Sequence, residues 1–196
     1  PFSCDCRTLL KNEAEKARKQ GVELNIGTEF EFYLFKTDAQ GSPTREPLDT
    51  ASYMDIAPED KGEDVRREIC LMLTEMGMHP ESSHHEEGPS QHEIDFRFGK
   101  TLAAADNALT FPTIVRTCAL RNGLYADFSP KPLEGRSGSG LHVNLSLESD
   151  RGGQATGAFM AGLLHHIPGL TAFLNPLPDS YRRLGENKAP RYITWS

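Results

Sequence analysis

The sequence predicts an α+β domain in which helices flank one antiparallel β-sheet. Two observations carry this. Residues 25–35 and 141–147 alternate apolar and polar side chains with the two-residue period of a half-buried strand, while residues 7–20, 60–76 and 101–121 repeat their apolar side chains at helical spacing. Strands also outnumber clear strand–helix–strand units, which favours an antiparallel sheet over a doubly wound parallel one. A chain of 196 residues suffices for one domain with a real core.

In chain order, Leu9, Leu10, Ala14 and Ala17 mark a helix over 7–20, stopped at Gly21. The strand over 25–35 sets Ile26, Phe30, Phe32 and Leu34 on one face and Glu29, Glu31 and Tyr33 on the other. Residues 37–59, with Gly41-Ser42-Pro43 and Ala57-Pro58, read as a long excursion or hairpin. A second helix over 60–76 carries the stripe Val65, Ile69, Met72, Leu73 and Met76. Strands over 80–87 and 91–98 flank a turn at Gly88-Pro89-Ser90, and a helix over 101–121 is expected to kink near Pro112. Strand 141–147 opposes Leu141, Val143, Leu145 and Leu147 to His142, Asn144 and Ser146. Helical patterns over 153–174 are expected to break at Pro168-Gly169, and Tyr192–Ser196 reads as an apolar strand cut off in mid-course. With Pro1 in place of a Met, these features predict a fragment of a longer chain, residues 1–196 being one partial domain.

A formal charge of −7 with no Lys/Arg block argues against nucleic acid or an anionic membrane as partner. No apolar run reaching the length of a span is expected, nor a leading signal segment. Cys4, Cys6, Cys70 and Cys118 lack paired spacing and read as buried free thiols in a reducing cytosol.

Three groups of residues carry chemistry. Glu29 and Glu31 stand two apart on one strand, so both point to one face about 6–7 Å apart. Acidic pairs on strands are often a solvated face; the flanking Phe30, Phe32, Tyr33 and Phe35 place this pair inside a domain. In the hairpin, Glu86 is expected opposite Glu93, His84 opposite Asp95 and His85 opposite Ile94. One face then carries His84, Glu86, Gln91, Glu93, Asp95 and Arg97, the other Ile94, Phe96 and Phe98. Like charges set opposite each other destabilise a sheet unless a cation or a proton lies between them. The third group, His142, Asn144 and Ser146, is the polar face of a strand that follows a glycine-rich loop. A lone inward His is more often a bonded core residue than a ligand; two polar neighbours on its face raise the odds of a site. Several carboxylates with one imidazole suit Mg²⁺ or Mn²⁺ better than zinc, and such ions neutralise phosphate oxygens in phosphoryl transfer. Tyr181-Arg182-Arg183 offers cations for the same purpose.

Gly27-Thr28-Glu29-Phe30-Glu31-Phe32, the run from His84 to Ile94, Lys131-Pro132-Leu133 through Leu147, and Asn175-Pro176 through Leu184 together resemble glutamine synthetases, in that family's order and approximate spacing. The resemblance implies the glutamine synthetase catalytic-domain fold, in part. It also implies a reaction in which ATP phosphorylates the γ-carboxylate of glutamate and ammonia displaces the phosphate. By motif position, Glu31, Glu86 and Glu93 hold one metal, while Glu29 and His142 hold a second near the ATP phosphates. Ser137 and Gly138 contact glutamate, Arg183 steadies the transferred phosphoryl group, Tyr53 lines the ammonium pocket, and Asn144 and Ser146 face the nucleotide. A cytoplasmic homo-oligomer, often a double hexamer, is expected, and no turnover from the isolated fragment. Two positions depart from the family pattern: Ser137 stands where Asn is usual, and Lys188 where a Glu over the ammonium site is usual, with Glu186 nearby. They motivate a second reading, a ligase joining glutamate to a larger amine such as a polyamine. A non-catalytic descendant is the third, although it would be expected to lose metal ligands that this chain keeps.

Overall fold

The computed structural model describes residues 2, 4–149 and 152–184. In chain order the elements are α1 (Cys6–Lys19), β1 (Val22–Thr37), β2 (Pro43–Pro47), α2 (Glu63–Glu75), β3 (Pro80–His85), β4 (Gln91–Phe96), β5 (Gly99–Lys100), α3 (Thr101–Arg121), β6 (Leu124–Asp127), β7 (Leu141–Ser149) and α4 (Gly153–Leu174), followed by a 3-10 turn, Pro178–Arg183. Asp5 caps α1 by accepting from the Thr8 N–H at 2.8 Å, as an N-cap carboxylate should.

β1 is the spine of a seven-stranded antiparallel sheet. Its 16 residues serve different neighbours along their length, and each edge is read from shared register positions. Glu29 lies between Asp95 of β4 and His142 of β7; Asn25 lies between Lys100 of β5 and Ser146 of β7; Phe35 lies between Pro47 of β2 and Tyr125 of β6. β3 adds outside β4. The antiparallel α+β expectation therefore holds.

The even-numbered face of β1 makes the core. Phe30, Phe32 and Leu34 join Ile94 and Phe96 of β4, and α2 and α3 cover them with Val65, Ile69, Leu73, Phe111, Ile114 and Val115. Phe111 lies within 4.7–6.1 Å of the rings of Phe30, Phe32 and Phe96, so aromatic contacts rather than aliphatic layers knit helix to sheet. Behind the hairpin the same face turns polar. His85 and His92 are fully buried there, His85 Nε2 lies 3.0 Å from Asp49, and Arg66 pairs with Asp60 at 2.6 Å and meets His92 Nδ1 at 3.0 Å. Asp49 also accepts from the Ser90 and Lys61 N–H groups and so fastens the long excursion to the hairpin.

Several expectations need correction. The hairpin pairs in a register shifted by two residues from the expected one: Glu86 bonds Gln91, His84 pairs with Glu93, His85 with His92 and Ser82 with Asp95. The two-residue shift preserves which face each side chain takes, because the strand period is two. α4 continues through Pro168 without a break. β6 had no clear alternation in its four residues. β7 is not half-buried, since Leu141, Val143 and Leu145 are exposed among the described residues. Cys4 and Cys6 are exposed, Cys70 is partly buried and only Cys118 is buried. α4 is long and apolar enough, by length and composition alone, to cross a membrane, which the sequence reading did not expect; here it packs beside β7. Tyr192–Ser196, Glu186 and Lys188 lie outside the described residues.

Candidate functional site

The odd-numbered face of β1 carries the chemistry. Glu31 lies directly across from Glu93, and Glu29 directly across from Asp95, so two carboxylate pairs stand opposite each other on adjacent strands. The sequence suggested such a clash between Glu86 and Glu93; the true pairs arise between strands far apart in sequence. Across the other edge, Glu29 faces His142, whose Nδ1 is 2.8 Å from Glu29 Oε2, and Asn144 donates to Glu29 Oε1 at 2.6 Å.

Two groups of donor atoms form. One atom each of Glu31, Glu93 and His142 lie within 4.8 Å of one another, as do one each of His84, Glu86 and Glu93. Glu93 belongs to both. Four of the five residues singled out from sequence fall in these groups, Glu29 adjoins them through its contact with His142, and His84 joins them. His84 was placed on this face by the hairpin pattern but not chosen as a ligand; its Nε2 lies 3.4 Å from Glu93 and its Nδ1 3.7 Å from Glu86.

Electrostatics match a cation-binding site. Burial pushes the Glu93 carboxyl up to about 8, and the negative charges of Asp95, Glu86 and Glu31 push the same way. Glu86 is raised too, by burial first, while the Glu87 N–H and His84 oppose the shift. A carboxylate crowded by other carboxylates is relieved by a proton or by a cation. The donor set of carboxylate oxygens with imidazole nitrogens fits a hard divalent ion. A third group, Asp60, His85 and His92, is equally close but holds the Arg66 guanidinium among its members, which leaves no place for a metal ion. Burial and the nearby Arg66 charge hold His92 well below its usual range, so it is neutral.

The glycine-rich loop folds over this cluster. The Gly140 N–H donates to Glu31 Oε2 at 2.9 Å, and the Ser137 hydroxyl donates to Glu87 at 2.6 Å. A Cβ at Gly138 would stand 2.7 Å from the Pro130 carbonyl and 3.1 Å from the Arg183 side chain, so only glycine permits this approach. Arg183 donates to the Ser139 carbonyl at 2.9 Å, which brings the 3-10 turn against the loop. Tyr53 is exposed and sets its ring edge-on to His84, 5.5 Å between centroids. Asn144 points to the cluster, while Ser146 lies further along β7 beside Asn25.

A curled antiparallel sheet with carboxylates and an imidazole gathered on one face, under a glycine-rich loop, defines an α+β domain with a carboxylate-lined site. The chain belongs to the glutamine synthetase family: residues 3–196 match the family described as glutamine synthetase, catalytic domain. It is 47% identical to the glutamine synthetase of Methanosarcina mazei and 44% identical to that of Thermus thermophilus, in each case over 100% of this chain and 47% of the relative. The chain thus spans about half the length of the curated relatives it matches. Among solved structures it is similar to GmaS in complex with ADP (32% identity, TM-score 0.80, 96% of this chain and 46% of that one) and to Plasmodium falciparum glutamine synthetase (26%, 0.79, 91% and 43%).

Proposed function

We propose that this chain is part of an ATP-dependent ligase that joins glutamate and ammonia to form glutamine through a γ-glutamyl phosphate. The observation that carries the reading is the gathering of Glu31, Glu93 and His142 beside His84 and Glu86, with Glu93 shared. In this reading Glu31, Glu86 and Glu93 hold one Mg²⁺ or Mn²⁺, and Glu29 and His142 a second. When bound, such ions neutralise phosphate oxygens and favour in-line displacement.

The chain's own residues do the rest. Ser137 and Gly138 orient glutamate so that an oxygen of its γ-carboxylate attacks the terminal phosphorus of ATP and ADP leaves. Arg183, held against the loop through the Ser139 carbonyl, supplies positive charge to the transferred phosphoryl group. Tyr53, braced on His84, lines the pocket from which ammonia attacks the acyl carbon as phosphate departs. Asn144 fixes the Glu29 carboxylate, and with Ser146 it faces the nucleotide. Residues 1–196 act as one partial catalytic domain of a cytoplasmic homo-oligomer, a dodecamer on family resemblance, and the 196-residue chain by itself gives no turnover. Purified whole protein given ATP, Mn²⁺, glutamate and ammonium should release phosphate and form glutamine. No glutamine under those conditions sinks the reading.

A second reading, a ligase for glutamate and a larger amine, is favoured by one contact: Ser137, where the family pattern has Asn, turns its hydroxyl to Glu87 and adds a carboxylate beside the loop. Turnover with polyamines but not ammonium decides for it.

A further inference from the structure

Gln91 is fully buried at the start of β4, and its carboxamide touches four residues from three segments of the chain. Oε1 accepts from the Gly88 N–H at 2.9 Å and lies 3.2 Å from the Tyr33 hydroxyl. Nε2 donates to Glu31 Oε2 at 2.8 Å and to the Gly138 carbonyl at 3.1 Å. These partners fix the amide's orientation, because a backbone N–H only donates and a carbonyl only accepts. The Tyr33 hydroxyl donates to the Ser137 carbonyl at 2.6 Å, and that is where its single proton goes. Space here is closed: a Cβ at Gly88 would stand 2.0 Å from the Tyr33 oxygen and 2.6 Å from Gln91 Oε1.

We propose that Gln91 is a positioning residue that couples the Glu31 end of the cation site to the 137–140 loop, so that occupancy of one orders the other. This rests on reading Glu31 as a cation ligand and the loop as the glutamate contact. The two N–H bonds of one planar amide cannot be re-aimed independently. Holding the Glu31 carboxylate in one orientation, as a cation would, therefore fixes the amide and with it the Gly138 carbonyl. The Gly140 N–H falls on the same Glu31 oxygen and reinforces the link. Coupling between binding sites is reciprocal, so glutamate on the loop should tighten the cation in equal measure. Only an amide serves: a carboxylate at 91 lacks the donors and sets another negative charge beside Glu31, whereas a thioether fills the volume and leaves buried groups unpaired.

The test is amide hydrogen exchange across 138–141 in the whole protein, with and without Mn²⁺, beside glutamate kinetics. Mn²⁺ should slow exchange in this loop. Gln91→Met should abolish that Mn²⁺ effect and raise the KM for glutamate about tenfold, with kcat changed less than about threefold. Tyr33→Phe, which removes the bond to Ser137 and the 3.2 Å contact with Gln91 Oε1 but neither Nε2 bond, should speed loop exchange yet leave the Mn²⁺ effect in place. If Gln91→Met fails to fold, Gln91→Glu replaces it; it keeps the acceptor for Gly88, loses both donors, and should likewise abolish the Mn²⁺ effect. The proposal is overturned if the parent shows no Mn²⁺ effect on the loop, if the position-91 variant keeps it, or if Tyr33→Phe loses it as completely. Loop protection by Mn²⁺ is read without turnover, so a protein that makes no glutamine would sink the proposed reaction and leave this inference standing.

Discussion

The two edges of β1 carry the same chemistry in different surroundings. On the β4 edge, Glu93 is 8% exposed and meets His84, with Gln91, His85 and His92 fully buried around it. On the β7 edge, Glu29 meets His142, whose side chain is 61% exposed, on a strand whose apolar face is uncovered among the described residues. Each edge pairs a carboxylate with an imidazole, and on the β4 edge burial raises the Glu93 carboxyl far from its ordinary range. Low-dielectric surroundings strengthen every electrostatic term, favourable or not. In the proposed reading the β4 edge is therefore a preset half-site for a cation, and the β7 edge is a solvated half that completes it.

The largest effect should come from breaking the support behind the β4 edge. Arg66→Met leaves Asp60 buried without its partner, and loss of one member of a buried pair costs about 3–5 kcal/mol. Thermal or denaturant unfolding measures it; a loss below about 1 kcal/mol would show that the polar layer under the hairpin is not what holds it.

Next comes Glu93 itself. Its replacement by Gln should weaken Mn²⁺ binding about a hundredfold or more, the upper end of what even outer-sphere partners command, by calorimetry. The pH dependence follows from its carboxyl at about 8, above the ordinary 4.5. Stability from this protonated group is fully present below pH 4.5 and is lost as pH rises through about 8. The metal-free protein should thus lose Tm between pH 5 and pH 9, and Glu93→Gln should flatten that decline. Mn²⁺ should reverse it in the parent.

The difference between the edges also explains what was legible in the sequence. Alternation showed which side chains share a face, setting Glu29 beside Glu31 and Glu86 beside Glu93, and a hairpin misplaced by two residues did no harm to that assignment. Register between distant strands was not legible: nothing local says that Glu31 meets Glu93 or that Glu29 meets His142. The buried network of Asp49, Asp60, Arg66, His85 and His92 was missed for a related reason. Its members come from a loop, a helix and two strands, and the only hint was His85 on a face otherwise reserved for apolar residues. β7 misled in the opposite direction. Its alternation was real, but periodicity reports an apolar face and not whether anything covers it.

Smaller effects should mark the β7 edge. His142→Ala removes one donor from the Glu31–Glu93–His142 group and the 2.8 Å bond to Glu29. It should weaken Mn²⁺ binding about tenfold while leaving the unfolding transition within about 0.5 kcal/mol of the parent, since an exposed side chain contributes little to stability. An equal loss of affinity in His142→Ala and Glu93→Gln would erase the distinction between the edges.

The smallest effect should belong to Leu145→Ala. Leu145 sits on the apolar face of β7 and is 40% exposed, so truncating it in the 196-residue chain removes little buried area and opens no closed cavity. The expected cost is under about 1 kcal/mol by denaturant unfolding, against about 3–5 kcal/mol for Phe32→Ala in the sealed core beneath the other face of β1. The same substitution made in the whole protein sharpens the comparison. A cost there that rises toward the core value means that this face is covered in the whole protein, and that the β7 edge becomes rigid through a contact made outside the residues described. A cost that stays small means that His142 and Asn144 approach their ligand from a strand that remains soft, and that the fixed geometry of the site comes from β1 and β4 alone.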